Sequence, residues 1–141
     1  MSLRFLPYIS FPGNAAEAMS HYHEIFGGDL QVLKYADTDT TGFPFTPSPE
    51  AVAHAQLEAD GLLLSGGDAV GEDNPPLSSD VYSFLLSFDT TAEAEEMIGK
   101  FTSRGGEVTM PFEPAPWGDH YGQLTDRFGV VWAFDVPGGA G

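Results

Sequence analysis

The chain has 141 residues, 42% hydrophobic and 13% aromatic, which describes one folded domain with a sizeable core rather than a disordered segment. Acidic side chains outnumber basic ones 21 to 5, so no basic stripe can assemble; nucleic acid is excluded as a partner, and an anionic membrane surface is disfavoured. There is no cysteine, hence no disulfide, thiolate nucleophile or cysteine metal site.

No apolar run approaches the roughly 18 residues of a membrane span. The opening Met1-Ser2-Leu3-Arg4 carries no signal-peptide pattern, and a cytoplasmic protein is the expectation. The acidic excess reads as a solubility surface before it reads as a site for a cationic ligand. Residues 4–11 predict a first strand, with Phe5, Pro7, Ile9 and Phe11 on one face and Leu6, Tyr8 and Ser10 on the other. Asn14 with Glu17 forms a capping box, and Ala15, Ala18, Met19, Tyr22 and Phe26 give the following helix a buried stripe. His21 and His23 fall off that stripe, about 200° apart, and are read as surface residues. Gly27-Gly28 ends the helix, and residues 30–35 return as a strand.

Residues 36–50 read as a long loop. Asp37-Thr38-Asp39 with Gly42 has a faint calcium-loop look, but Thr41 and Ser48 occupy the fifth and twelfth positions, so a lid or a dimer contact is expected there instead. Strands over 52–59 and 62–65 are joined by Asp60-Gly61, a strong hairpin signal. An acidic stretch over 68–80 reads as a linker.

The order then repeats. Residues 81–88 predict a strand, and Thr90 with Glu93 a second capping box. Ala94, Met97, Ile98 and Phe101 form a helical stripe, followed by strands over 106–110, 118–125 and 130–136, the last entered through Asp126-Arg127-Phe128-Gly129. Ala16-Glu17-Ala18 and Gly27-Gly28 are echoed by Ala92-Glu93-Ala94 and Gly105-Gly106 at nearly the same separation. Two βαβββ modules, about 3–67 and 81–137, are therefore expected to form one α+β domain over 1–141, their sheets paired into a curved, half-open mixed sheet.

Pro7-Tyr8-Ile9-Ser10-Phe11 with Gly13-Asn14, Phe26-Gly27-Gly28, His54-Ala55, and Trp117-Gly118 followed by Leu124-Thr125-Asp126-Arg127-Phe128-Gly129 carry a resemblance. The chain resembles the glyoxalase/bleomycin-resistance/dioxygenase (vicinal oxygen chelate) superfamily, and more narrowly its PhnB-like branch. The resemblance implies a homodimer with a small-molecule ligand held on the concave sheet. It also implies four metal-ligand positions on the first and last strand of each module, which fall near Pro7, Ser65, Ser83 and Ala133. None offers an imidazole or carboxylate, and the neighbours Tyr8, Gly66, Tyr82 and Phe134 do not repair this, so no metal and no cofactor is expected.

His54, Gln56 and Glu58 alternate on one strand and share a face, as a polar row beside a ligand or as a plain solvent face. Trp117-Gly118-Asp119-His120-Tyr121 gathers aromatic and ionisable groups that could wall a planar ligand. The expected ligand contacts are Ile9, Phe11, His54, Gln56, Ser83, Trp117 and Tyr121. Two functions stay open: binding without turnover, as in bleomycin-resistance proteins, or an enzyme of lyase, isomerase or dioxygenase type, with His54 or His120 as acid or base or in an atypical metal site. A dimer whose cups are filled by its own side chains is the structural alternative.

Overall fold

The computed structural model describes residues 3, 5–38, 48–69, 77, 79 and 81–138, and the chain divides into two compact units, Met1–Pro75 and Pro76–Gly141. In the first unit the period-two pattern sets strand β1 (Tyr8–Phe11), where Ile9 and Phe11 are buried while Tyr8 and Ser10 are exposed. Helix α1 (Ala15–Phe26) follows, then β2 (Asp29–Lys34), a single 3-10 turn at Tyr35–Asp37, β3 (Val52–Ala59) and β4 (Leu62–Asp68). The sheet order is β1-β4-β3-β2, with β1 parallel to β4 and the other pairs antiparallel. The second unit repeats this with β5 (Phe84–Ser87), α2 (Thr91–Thr102), β6 (Glu107–Pro114), β7 (His120–Thr125) and β8 (Val131–Val136), ordered β5-β8-β7-β6. Each unit is a βαβββ module with a four-stranded mixed sheet, as expected for the α+β class. Among the described residues no helix is long and apolar enough to cross a membrane.

Each helix covers one face of its own sheet. In module one the buried Ala55, Leu57 and Leu64 alternate with the outward row of β3 and β4, and α1 packs against β2, β3 and β4. The stripe of α1 is wider than the periodicity suggests: Ile25 and His21 are buried, whereas Phe26 is only half-buried. His21 was expected at the surface. It lies three residues after Ala18 and four before Ile25, which sets it on the covered face, its ring 5.5 Å from that of Tyr22.

In module two Phe101 of α2 lies 5.4 Å from Trp132 and 6.0 Å from Phe134, all three essentially inaccessible to solvent. Phe84 and Phe88 close the same cluster from β5 and its exit. The Asp126 turn is locked to this core. One carboxylate oxygen accepts the backbone N–H groups of Phe128 (2.8 Å) and Val130 (3.1 Å), and the other accepts the indole N–H of Trp132 (2.9 Å).

The cap of α1 differs from expectation. Asn14 makes no side-chain cap bond; instead Asp68, at the end of β4, accepts the N–H of Ala15 on one oxygen and that of Val52 on the other, both at 2.8 Å. A carboxylate at a helix N-terminus is favoured by the exposed N–H groups and the helix dipole. At α2 the expected pair meets: Thr90 Oγ1 accepts from Glu93 N–H at 3.2 Å and donates to Glu93 Oε1 at 2.9 Å.

Strand ends also shift. β1 begins at Tyr8 and β5 at Phe84, because pairing with the parallel partner begins only there, at Tyr8 with Ser65 and at Phe84 with Trp132. β6 runs on through the proline-containing stretch to Pro114. It is an edge strand whose register slips twice, and an edge can spare the N–H groups that proline lacks. Gly122 of β7 accommodates the bulged edge: a Cβ there would stand 2.7 Å from Phe112 Cα. Arg4, the Asp39–Thr41–Gly42 part of the calcium-like stretch and most of the 68–80 linker lie outside the described residues.

Candidate functional site

The face of each sheet that its helix leaves uncovered carries the polar side chains. In module one that face holds Tyr8 and Ser10 of β1, Ser65 of β4, His54, Gln56 and Glu58 of β3, and Gln31 and Asp29 of β2, as the strand register requires. His54 is exposed and its ring stacks on Tyr8 at 6.0 Å and 25°. Tyr8 lies across Gly67, where a Cβ would come within 2.6 Å of the phenol oxygen, so the missing side chain is what lets the ring lie there. Although much of the ring is exposed, partial burial of the Tyr8 phenol against Gly67 raises its pKa above the ordinary value, reinforced by Tyr35 and by the negative charge of Asp68.

Further along the same face, Asp29 stands directly opposite Glu58 and Gln31 opposite Gln56. Two like charges across a strand pair repel, so this end is a strongly acidic surface. A recess of about 440 Å3 opens there, with His23 at its side, whose Nε2 is 2.9 Å from the Gly28 carbonyl oxygen.

The corresponding face of module two is different. β7 presents Tyr121, Gln123 and Thr125, of which Gln123 donates its amide N–H to the Tyr121 hydroxyl at 2.8 Å. A recess of about 470 Å3 takes Gln123 and Thr125 from β7, Val131 from β8, Thr109 and Met110 from β6, and Tyr82 and Ser83 from the approach to β5. Beside it Trp117, exposed in the β6–β7 turn, sets its ring edge-on to Tyr121 at 5.6 Å. His120 is half-buried with its ring 5.8 Å from Phe112. At the far end of β8, burial raises the Asp135 carboxyl pKa, as do the hydrogen bond and charge of Asp119.

The residues singled out from the sequence therefore fall in separate places. Ser83 lines the module-two recess, and Trp117 and Tyr121 stand together at its side. His54 and Gln56 lie on the uncovered face of module one. Ile9 and Phe11 lie on the helix-covered face, 7% and 0% exposed, within the core. Sequence reasoning passed over Tyr8, Met110 and Gln123. The alternation Tyr121-x-Gln123-x-Thr125, which repeats that of His54-x-Gln56-x-Glu58, was the available signal.

The register also moves two of the four expected metal positions. Tyr8 rather than Pro7 stands opposite Ser65 on the uncovered face, and Leu85 rather than Ser83 stands opposite Ala133. A phenol, an alcohol and two alkyl groups do not fit a divalent cation, which draws its binding free energy from imidazole and carboxylate. Among the described residues no three His, Asp or Glu side chains converge.

Two βαβββ modules in one chain define a class of protein, and the comparisons agree with it. The chain belongs to the Glyoxalase/Bleomycin resistance protein/Dioxygenase superfamily, whose family model matches residues 4–134. It is 28% identical to protein YjdN of Escherichia coli K12, with 92% of each chain covered. The crystal structure of protein PA1353 from Pseudomonas aeruginosa is 33% identical, with 97% of this chain and 99% of that one covered, and superposes with a TM-score of 0.80. The PhnB protein from Bacillus cereus shares the fold at 20% identity and a TM-score of 0.67, over 95% of this chain and 99% of that one.

Proposed function

We propose that this chain binds a small molecule on the helix-free faces of its sheets and does so without the superfamily's divalent metal. One observation supports the reading: Leu85 stands opposite Ala133 in the strand register, and neither offers a donor atom at the two metal positions that the family resemblance implies there. A metal left with a phenol and a single alcohol loses most of its binding free energy. The open recess in module two, with polar and apolar lining side by side, is of a size that suits a small ligand. A homodimer in the cytoplasm is part of the same proposal; the exposed apolar Leu3, Phe5, Val81 and Leu85 and the lack of cysteine support it.

The experiment is elemental analysis with native mass spectrometry on protein purified without added metal or chelator. The expected result is a metal-free dimer, with a co-purifying small molecule where the ligand is retained. A stoichiometric transition metal overturns the metal-free reading, and a monomeric mass overturns the dimer.

A second reading, an enzyme with His54 as acid or base, rests on the stack of His54 on Tyr8. Catalysis by imidazole ordinarily uses a partner that orients the ring. Among the described residues no hydrogen bond reaches the ring of His54 or of His120, which favours binding over turnover. A turnover assay on any co-purified ligand, with His54→Ala as control, separates the two.

A further inference from the structure

The two recesses differ in charge: Asp29 and Glu58 line the one in module one, and no carboxylate is among the described residues lining the one in module two, a difference that names a ligand class. None of the described residues lining the module-two recess is ionised, in a chain with a formal net charge of −16. An ionised ligand entering there would shed water and find no counter-charge among the described lining residues. Glu107, opposite Thr125 on the β6 edge, adds repulsion against an anion. Gln123 is held by its bond to the Tyr121 hydroxyl, which uses one of its two amide hydrogens. The second hydrogen and the carbonyl oxygen remain as a donor and an acceptor. Met110, Val131 and the Tyr82 ring supply apolar surface around them.

We propose that this recess takes an uncharged carboxamide, paired edge to edge with the Gln123 amide while its apolar body lies against Met110, Val131 and Tyr82. The proposal rests on the binding reading above and adds the class of ligand. Module one has the equivalent amide, Gln56, but sets it between Ser65 and Gln31 on the face that carries Asp29 and Glu58, so it does not share the preference.

Three probes of one shape decide it: benzamide, benzoate and benzylamine, titrated at neutral pH into 15N-labelled full-length protein and followed by NMR. Benzamide is expected to shift the Gln123 side-chain amide pair and its recess neighbours saturably, with the same dissociation constant at low and high salt, and benzoate to leave them in place. Gln123→Leu should weaken benzamide about tenfold, the scale of losing a two-point hydrogen-bonded pair. Gln123→Glu keeps the shape and removes the donor, so it should reverse the preference towards benzylamine, an outcome that loss of structure cannot imitate.

Equal or tighter binding of benzoate or benzylamine to the unaltered protein overturns the proposal. So does benzamide binding that Gln123→Glu leaves untouched. Silence from all three probes also overturns the ligand class; a small molecule co-purifying in native mass spectrometry would then keep the binding reading standing alone. A protein that carries no ligand from the cell but binds benzamide at Gln123 supports both.

Discussion

The two modules agree on one side of their sheets and part on the other. Beneath the helices both are filled to exclusion of solvent, by Phe11, Tyr22 and Leu57 in module one and by Phe101, Trp132 and Phe134 in module two. On the uncovered faces the third strand carries His54-Gln56-Glu58 in one module and Tyr121-Gln123-Thr125 in the other, each glutamine opposite the last strand, at Ser65 and Ala133. Packing constrains every second residue of a strand, and the alternate residues are open to divergence. A duplicated fold can therefore hold one backbone while lining one recess with carboxylates and leaving the described lining of the other without them.

The sharpest way to break that comparison is at the aspartates that tie each module together. Asp126 serves three donors and is 4% exposed, whereas Asp68 serves two and is half-buried. Asp126→Ala is expected to cost about 4 kcal/mol and Asp68→Ala about 2, from lost charge-assisted bonds and stranded N–H groups. Urea denaturation of both variants measures the gap, and equal losses would show that burial does not separate them.

Gly67→Ala comes next, at about 1–2 kcal/mol, because its Cβ would drive the Tyr8 hydroxyl off the strand. Absorbance titration in alkali should show the high-titrating tyrosine of the unaltered protein moving back towards the ordinary range. An unchanged titration would mean that Tyr8 does not depend on the glycine.

The smallest effect concerns Asp135. Its raised pKa means that the folded state favours the protonated form. That stabilisation is present below the ordinary carboxylate range and fades as the pH rises through the raised value. Asp135→Asn should therefore be more stable than the unaltered protein at neutral pH, with the gain shrinking on acidification. Thermal melts across that range give the sign, and a gain that grows in acid would contradict it.

Much of the fold was legible because its signals are local. The Thr90–Glu93 box, the Asp60-Gly61 hairpin and the paired glycines each act within a few residues, and each sits where it was read. What failed depends on partners distant in sequence. The cap of α1 comes from Asp68, 53 residues away, which no window around Asn14 could show. Strand ends followed their partners, so Phe5 and Val81 fell outside the sheets.

At the site, alternation correctly separated Ile9 and Phe11 from Tyr8 and Ser10, but it cannot say which set a helix will cover. A register error of one residue then exchanged pocket for core and Tyr8 for Pro7. In module two Ser83 lines the recess, Trp117 and Tyr121 stand off its lining, and Gln123 was legible only by setting Tyr121-x-Gln123-x-Thr125 beside His54-x-Gln56-x-Glu58.

The two tryptophans, finally, sit in opposite surroundings within module two. Trp132 is 1% exposed with its indole N–H held by a carboxylate, and Trp117 is 64% exposed beside Tyr121. Their light should separate accordingly. The buried indole emits at the shorter wavelength and is shielded from collision, while the turn indole emits at the longer and is open to acrylamide. Iodide, repelled by the acidic surface, should quench Trp117 less than neutral acrylamide does, and added salt should narrow that difference. One chain thus carries two optical reporters, one reading the integrity of its core and the other the electrical potential beside its recess.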